Sequence, residues 1–136
     1  MKLLLDTNIF LEVMLGQKEA VSAQRLLAAG QQHELFVSDF SLHSIGCHLF
    51  RRGKASEFKQ FFRDVVVTGG IRIASLGEQQ YEVAADAAAK FRLDFDDAYQ
   101  YAVARTQGLS IISFDADFDR TDIARRTPAA ILAVPS

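Results

Sequence analysis

Four aspartates stand where an α/β protein does its chemistry. Asp6 directly follows the apolar run Leu3-Leu4-Leu5, and Asp115 lies two residues past the run that ends at Ser113, with Asp117 two residues further on. In open α/β sheets, ligands bind in the crevice beyond the carboxyl ends of the strands. Asp97 opens the helical stretch before the second run, where a helix N-terminus brings it to the same rim. Carboxylates gathered this closely repel one another, and a cation relieves the repulsion. Hard oxygen donors suit Mg²⁺ or Mn²⁺, which keep waters in their shell and engage phosphates. An ion so held activates water and neutralises charge on a phosphodiester.

Aspartate is also a common helix cap, so Asp94, Asp96 and Asp97 compete for that role at the start of one helix. Adjacent helical residues point about 100° apart, so Asp96 and Asp97 do not both face one ion. Asp97 is assigned to the site and Asp96 to the cap. Asp119 and Asp122 are read as solvated surface charges.

The elements that must position these acids follow from hydrophobic pattern and punctuation. Leu3–Leu5 is a short continuous apolar run, the mark of a strand buried on both faces. Thr7-Asn8 caps an apolar helix over Ile9–Leu15, and a second helix runs over Lys18–Ala29. Leu35–Val37 is the next strand, with a helix after Ser38 or Asp39 that passes through Leu42, Ile45, Leu49 and Phe50 to Gly53. Phe58, Phe61, Phe62, Val65 and Val66 recur at helical spacing within Ser56–Val66, before Gly69-Gly70. A strand over Ile71–Ala74, an alanine-rich helix over Glu78–Phe91, a helix over Asp96–Thr106 and a strand over Leu109–Ser113 complete the alternation. Ala130–Val134, bounded by Pro128 and Pro135, is expected to add an edge strand. Strands separated by helices predict an α/β domain with a mostly parallel sheet of 4–5 strands, with Leu5 and Ser113 ending on the same edge.

The 136 residues form a single domain, 1–136, with 49% hydrophobic and 24% charged residues, the balance of a globular core. The one cysteine, Cys47, excludes an internal disulfide and suits a reducing compartment; its neighbours mark it as a small buried hydrophobe. No apolar run approaches the roughly 20 residues needed to cross a bilayer, so a cytoplasmic protein without membrane contact is expected. The net charge of −2 does not advertise a nucleic-acid binder and argues mildly against tight, extended nucleic-acid binding. Attraction for RNA or DNA would come from local arginines and a bound metal ion.

Three segments together resemble the PIN domain, in particular the VapC-type toxins of prokaryotic toxin–antitoxin pairs. They are Asp6-Thr7-Asn8-Ile9 after an apolar strand, Asp97-Ala98 opening a helix, and Ile111-Ile112-Ser113-Phe114-Asp115-Ala116-Asp117-Phe118. The resemblance implies a three-layer α/β/α fold and a Mg²⁺- or Mn²⁺-dependent endoribonuclease. Asp6, Asp97 and Asp115 would bind the metal, and Asp117 would assist. Ser113 would orient the acids and Asn8 would stabilise the turn after Asp6. It further implies a homodimer silenced by a small antitoxin that occupies the active-site groove. The pattern departs at one place. Where the family places a glutamate in the helix after the second strand, Ser38-Asp39-Phe40-Ser41-Leu42-His43-Ser44-Ile45 has Ser44, a hydroxyl that can orient a water but adds no charge. His43, His48 and Asp39 are the nearby groups that could compensate, whereas His33 reads as a loop residue.

Three functional classes follow. The first is a metal-dependent ribonuclease acting on single-stranded or looped RNA, aided by arginines such as Arg51, Arg52, Arg105, Arg125 or Arg126. The second is a catalytically impaired PIN-fold module that binds RNA or protein, as Ser44 suggests. The third is a phosphoryl-transfer or receiver-like domain, disfavoured because no lysine follows a late strand and no phosphate-binding glycine loop is present. The Phe58–Val66 stripe reads as core; any exposed part of it would mark a dimer or antitoxin surface.

Overall fold

A computed structural model describes residues 1–134, and in it four strands form one sheet in the order β3-β2-β1-β4, every neighbouring pair parallel. The strands are β1 (Lys2–Leu5), β2 (Glu34–Ser38), β3 (Arg72–Ala74) and β4 (Ser110–Ile112). Alternate residues of the central strand β1 face opposite ways. Leu3 and Leu5 point into a core with Ile9, Phe10, Leu26, Ile45 and Phe61, drawn from α1 (Thr7–Met14), α2 (Ala20–Leu27), α3 (Asp39–Phe50) and α4 (Ala55–Phe62). Leu4 points into a second core with Ala84, Ala102, Val103 and Phe118, built mainly by α5 (Tyr81–Phe91) and α6 (Phe95–Gln107). Helices on both faces of a parallel sheet make the three-layer α/β/α arrangement, and β1 is buried on both sides, as its unbroken leucines require.

The expected helix over Ser56–Val66 divides. α4 stops at Phe62, and Arg63–Thr68 continues as a wider π-helical turn. Gly69 closes it so tightly that a Cβ there would lie 2.6 Å from both the Asp64 and the Val65 carbonyl oxygens. The apolar stripe is mainly core: Phe61 is buried, and Phe58 and Val65 pack against the same cluster.

The expected edge strand over Ala130–Val134 is not formed. Pro128–Leu132 is instead a short helix, α7, in which the Thr127 hydroxyl accepts from Ala130 N at 3.2 Å and Pro128 sits in the first turn. Threonine at the cap followed by proline is a strong helix start, because the missing proline N–H is one the first turn leaves unpaired anyway. Edge pairing beside β4 falls earlier, at Arg126, whose amide donates to Ile111 O at 2.8 Å and whose carbonyl accepts from Ser113 N at 3.0 Å. Pro135, the other expected limit of that strand, lies outside the described residues. Cys47 is half-buried rather than buried, with its Sγ 3.7 Å from His43 Nδ1. Among the described residues, no helix is long and apolar enough to cross a membrane.

Candidate functional site

β1 and β4 lie side by side with Leu5 opposite Ile112, so their carboxyl ends open at one edge. Asp6 emerges there next to Ser113, and its amide donates to Ile112 O at 2.9 Å. Asp6 also caps α1, its Oδ1 accepting from Thr7 N at 2.9 Å. The residue is only 7% exposed, and a carboxylate so placed needs donors. Gln100 Nε2 donates to Oδ1 at 2.9 Å and Ser113 Oγ donates to Oδ2 at 2.7 Å. Burial pushes the Asp6 carboxyl above the usual range and the Asp115 charge adds to the rise, while these donors oppose it.

Ser113 Oγ is shared. It accepts from Asn8 Nδ2 at 3.2 Å and from Asp115 N at 2.9 Å while donating to Asp6. Asn8 Oδ1 in turn accepts from Phe114 N at 3.3 Å. Asn8 therefore ties the start of α1 to the end of β4, rather than only stabilising the turn after Asp6. Asp115 Oδ1 accepts from Asp117 N at 2.9 Å, which starts the 3₁₀ segment over Ala116–Arg120 and keeps both acids at the same edge.

Asp97 reaches this edge from the first turn of α6. The cap is Asp94, whose Oδ1 accepts from Asp97 N at 2.9 Å, and not Asp96 as the sequence reading has it. Spacing explains the correction: a cap side chain reaches the amide two or three residues on, and Asp94 has that reach to Asp97. One oxygen from each of Asp97, Asp115 and Asp117 lies within 4.8 Å of the others. Partial burial pushes the Asp97 carboxyl up to about 7, and the charges of Asp94, Asp115, Asp6 and Asp117 add to the shift. Asp6 stands beside this trio with its oxygens engaged by Thr7, Gln100 and Ser113.

Three participants escape a reading of the sequence. Gln100, a buried residue of α6, bridges Asp6 and Ser41 Oγ, the latter at 2.8 Å. Ser41 Oγ also accepts from Ser38 Oγ at 3.2 Å. With both lone pairs used, its own proton goes to Thr7 Oγ1, 2.8 Å away. Arg120 is the third, donating to Asp117 Oδ1 at 3.1 Å and to the Phe91 and Arg92 carbonyls. Its only signal in the sequence is its position three residues after Asp117.

Of the remaining candidates, Arg125 donates from Nη1 to the Ser113 carbonyl at 3.2 Å; among the described residues no side-chain hydrogen bond joins the others to the acid cluster. Among the described residues, no hydrogen bond joins Ser44 to an acid; Ser41, one turn earlier, has the inward position. His43 is exposed and lines a neighbouring cavity with Asp39. Arg105 pairs with Asp122 at 3.7 Å and Arg125 with Asp119 at 3.4 Å, so those two acids are exposed but partnered. Arg51 and Arg52 are exposed at the end of α3.

The family model of the PIN domain matches residues 3–124, which contain all four aspartates. This chain belongs to the PIN domain family. No curated protein matches it, but solved structures do. A chain of the structure of VapBC-1 from nontypeable Haemophilus influenzae aligns with a TM-score of 0.73 at 16% identity, covering 95% of this chain and 99% of that one. Mycobacterium tuberculosis VapC20, described as a sarcin-ricin loop cleaving toxin, aligns with a TM-score of 0.71 at 22% identity over 91% of this chain and 98% of its own. A chain of a toxin–antitoxin complex from Klebsiella pneumoniae gives 0.71 at 19% identity, over 92% and 96% respectively. These likenesses show a shared fold. In this PIN domain, the all-oxygen donor set of Asp97, Asp115 and Asp117 fits a hard divalent cation of the Mg²⁺ or Mn²⁺ kind.

Proposed function

We propose that this PIN domain is a metal-dependent endoribonuclease of the toxin type, acting on single-stranded or looped RNA in the cytoplasm. The observation that carries the reading is the convergence of Asp97, Asp115 and Asp117 within 4.8 Å at the strand edge beside the buried Asp6. Asp97, Asp115 and Asp6 would hold Mg²⁺ or Mn²⁺, with Asp117 assisting. A cation there supplies Lewis-acid neutralisation of a phosphodiester and activation of water.

The chain's own groups prepare that site. Gln100, Ser113 and Thr7 N fix both oxygens of Asp6, so its direction is set before substrate arrives. Asp97 sits in the first turn of α6, where the helix dipole favours negative charge, yet it still holds its proton up to about pH 7. The crowding of acids thus holds a proton that a cation can replace. Arg120 braces Asp117 from the solvent side and offers a guanidinium at the rim of the site.

The likeness to a chain of the toxin–antitoxin complex from Klebsiella pneumoniae supports a small antitoxin as partner. A homodimer is part of the same proposal. A second reading, a PIN-fold binding module with impaired catalysis, is favoured by Ser44 alone.

Incubation of a mixed single-stranded RNA with the purified chain and Mg²⁺ or Mn²⁺ tests the proposal, beside EDTA, Asp6→Asn and Asp115→Asn. Cleavage that needs the metal and both aspartates is expected. Unchanged cleavage in either variant overturns the assignment; no cleavage by folded protein transfers it to the binding module.

A further inference from the structure

Across the first turn of α6 from the acids lies an open cavity of about 330 Å³ with mostly aromatic walls. Tyr99 packs against Phe40 and Tyr81 with ring centroids 6.0 and 5.9 Å away. Phe95 lines the same cavity and is 52% exposed, as Tyr81 is 48% exposed. Asp39, Asp96 and His43 supply its polar groups, and no lysine or arginine lines it. The Tyr99 hydroxyl donates to Asp39 Oδ1 at 2.6 Å and Phe40 N donates to the same atom at 2.8 Å. These bonds hold the carboxylate in place and leave its Oδ2 without a hydrogen bond among the described residues.

The cavity and the acid cluster are two sides of one seam between α3 and α6. Phe95 and Asp96 immediately precede Asp97, and Asp39 and Phe40 immediately precede Ser41, which Gln100 links to Asp6. The cavity and the acid cluster therefore share consecutive residues of α6, Asp96 in the one and Asp97 in the other. Two carboxylates and no cation disfavour a phosphate there. Exposed aromatic faces favour a flat π-system, and carboxylate oxygens accept from amino groups on a base edge.

We infer that this cavity receives a nucleobase of the RNA strand whose phosphate lies at the acid cluster, stacked on Phe95 with its amino edge towards Asp39 and Asp96. The inference rests on the ribonuclease reading of the neighbouring site. It makes the α3–α6 seam the source of base preference, with the amino-bearing bases guanine, adenine and cytosine preferred to uracil, whose Watson–Crick edge offers a single N–H between two carbonyls.

The test is a chemical-shift titration of the intact, ¹⁵N-labelled chain in EDTA with adenosine, cytidine, uridine and ribose. Neutral nucleosides avoid phosphate repulsion by the acids. Adenosine and cytidine are expected to move the amide signals of Phe40, His43, Phe95 and Asp96 saturably, uridine less, and ribose not at all. Phe95→Ala should weaken nucleoside binding about tenfold, within the range for loss of one base–aromatic stack, and Phe95→Trp should retain it. Unmoved signals with every nucleoside, or wild-type binding by a folded Phe95→Ala chain, overturn the inference. Uridine binding as tightly as cytidine overturns the assignment of the two carboxylates to the base edge. The RNA-cleavage assay separates the two readings. A chain that cleaves RNA while nucleosides leave these signals unmoved keeps the nuclease and loses the pocket; the reverse pattern keeps the pocket and loses the nuclease.

Discussion

Gln100 donates to Asp6 from one turn beyond Asp97 on the same helix, at 2.9 Å and within the core. One face of α6 therefore both supplies an acid to the cluster and holds the acid that β1 supplies. The orientation of the amide follows from its partner, since turning it over would set its carbonyl against a carboxylate.

Replacing Gln100 with leucine keeps the bulk and removes the donor. Asp6 and Ser41 then each lose one buried hydrogen bond but keep their others, and the partnerless Gln100 Oε1 is removed with the amide, so a net loss of about 1 kcal/mol is expected. Urea denaturation is expected to show the loss, and metal-dependent cleavage to fall with it. Wild-type stability in this variant would mean that water or a rearranged Ser41 replaces the amide.

The pH dependence of the metal-free chain has a definite sign. Asp97 binds its proton more tightly in the folded state, with a pKa of about 7 against an ordinary 3.8. Folding is therefore disfavoured as that proton leaves, so thermal stability should decline between about pH 4 and about pH 7. Asp6, raised by its burial, contributes in the same direction. Mn²⁺ needs the ionised carboxylates, so it should raise Tm more at pH 8 than at pH 5. Asp97→Asn should flatten the decline and reduce the gain from metal; a slope identical to wild type would show that the carboxyl is not perturbed.

Ser44 lies three residues after Ser41 and so on a similar face of α3. A glutamate there would bring another carboxylate towards the cation. Ser44→Glu is expected to lower the Mn²⁺ concentration needed for half-maximal cleavage severalfold. If the wild-type chain is inactive and the variant cleaves, the binding-module reading is the right one.

Gly69 tests the closure of the π-helical turn. Gly69→Ala places a methyl group 2.6 Å from two backbone oxygens, so the turn must open. A destabilisation of about 1–3 kcal/mol is expected from such overpacking, read as a lower urea midpoint with an unchanged slope. Because the turn lies away from the acids, cleavage by the folded fraction should be unaffected.

The sequence by itself placed the acids. A leucine run ending in Asp6, a second run ending at Ser113 before Asp115 and Asp117, and Asp97 in an opening helical turn are local patterns. Parallel strands separated by helices leave little choice about the edge at which they meet. The tertiary structure decided what surrounds them. Every residue of α6 from Ala98 to Ala104 is buried, so periodicity marks no polar face on which Gln100 would stand out. Asp94 displaces Asp96 as the cap because capping depends on reach to a particular amide. Thr127-Pro128 turns an expected strand into α7, with Ile131 buried in the core beside Leu3 and Ile112. Local spacing tells where a charge leaves a strand or a helix; only the packed fold tells which buried group supplies its hydrogen bond, because that partner comes from a distant part of the chain.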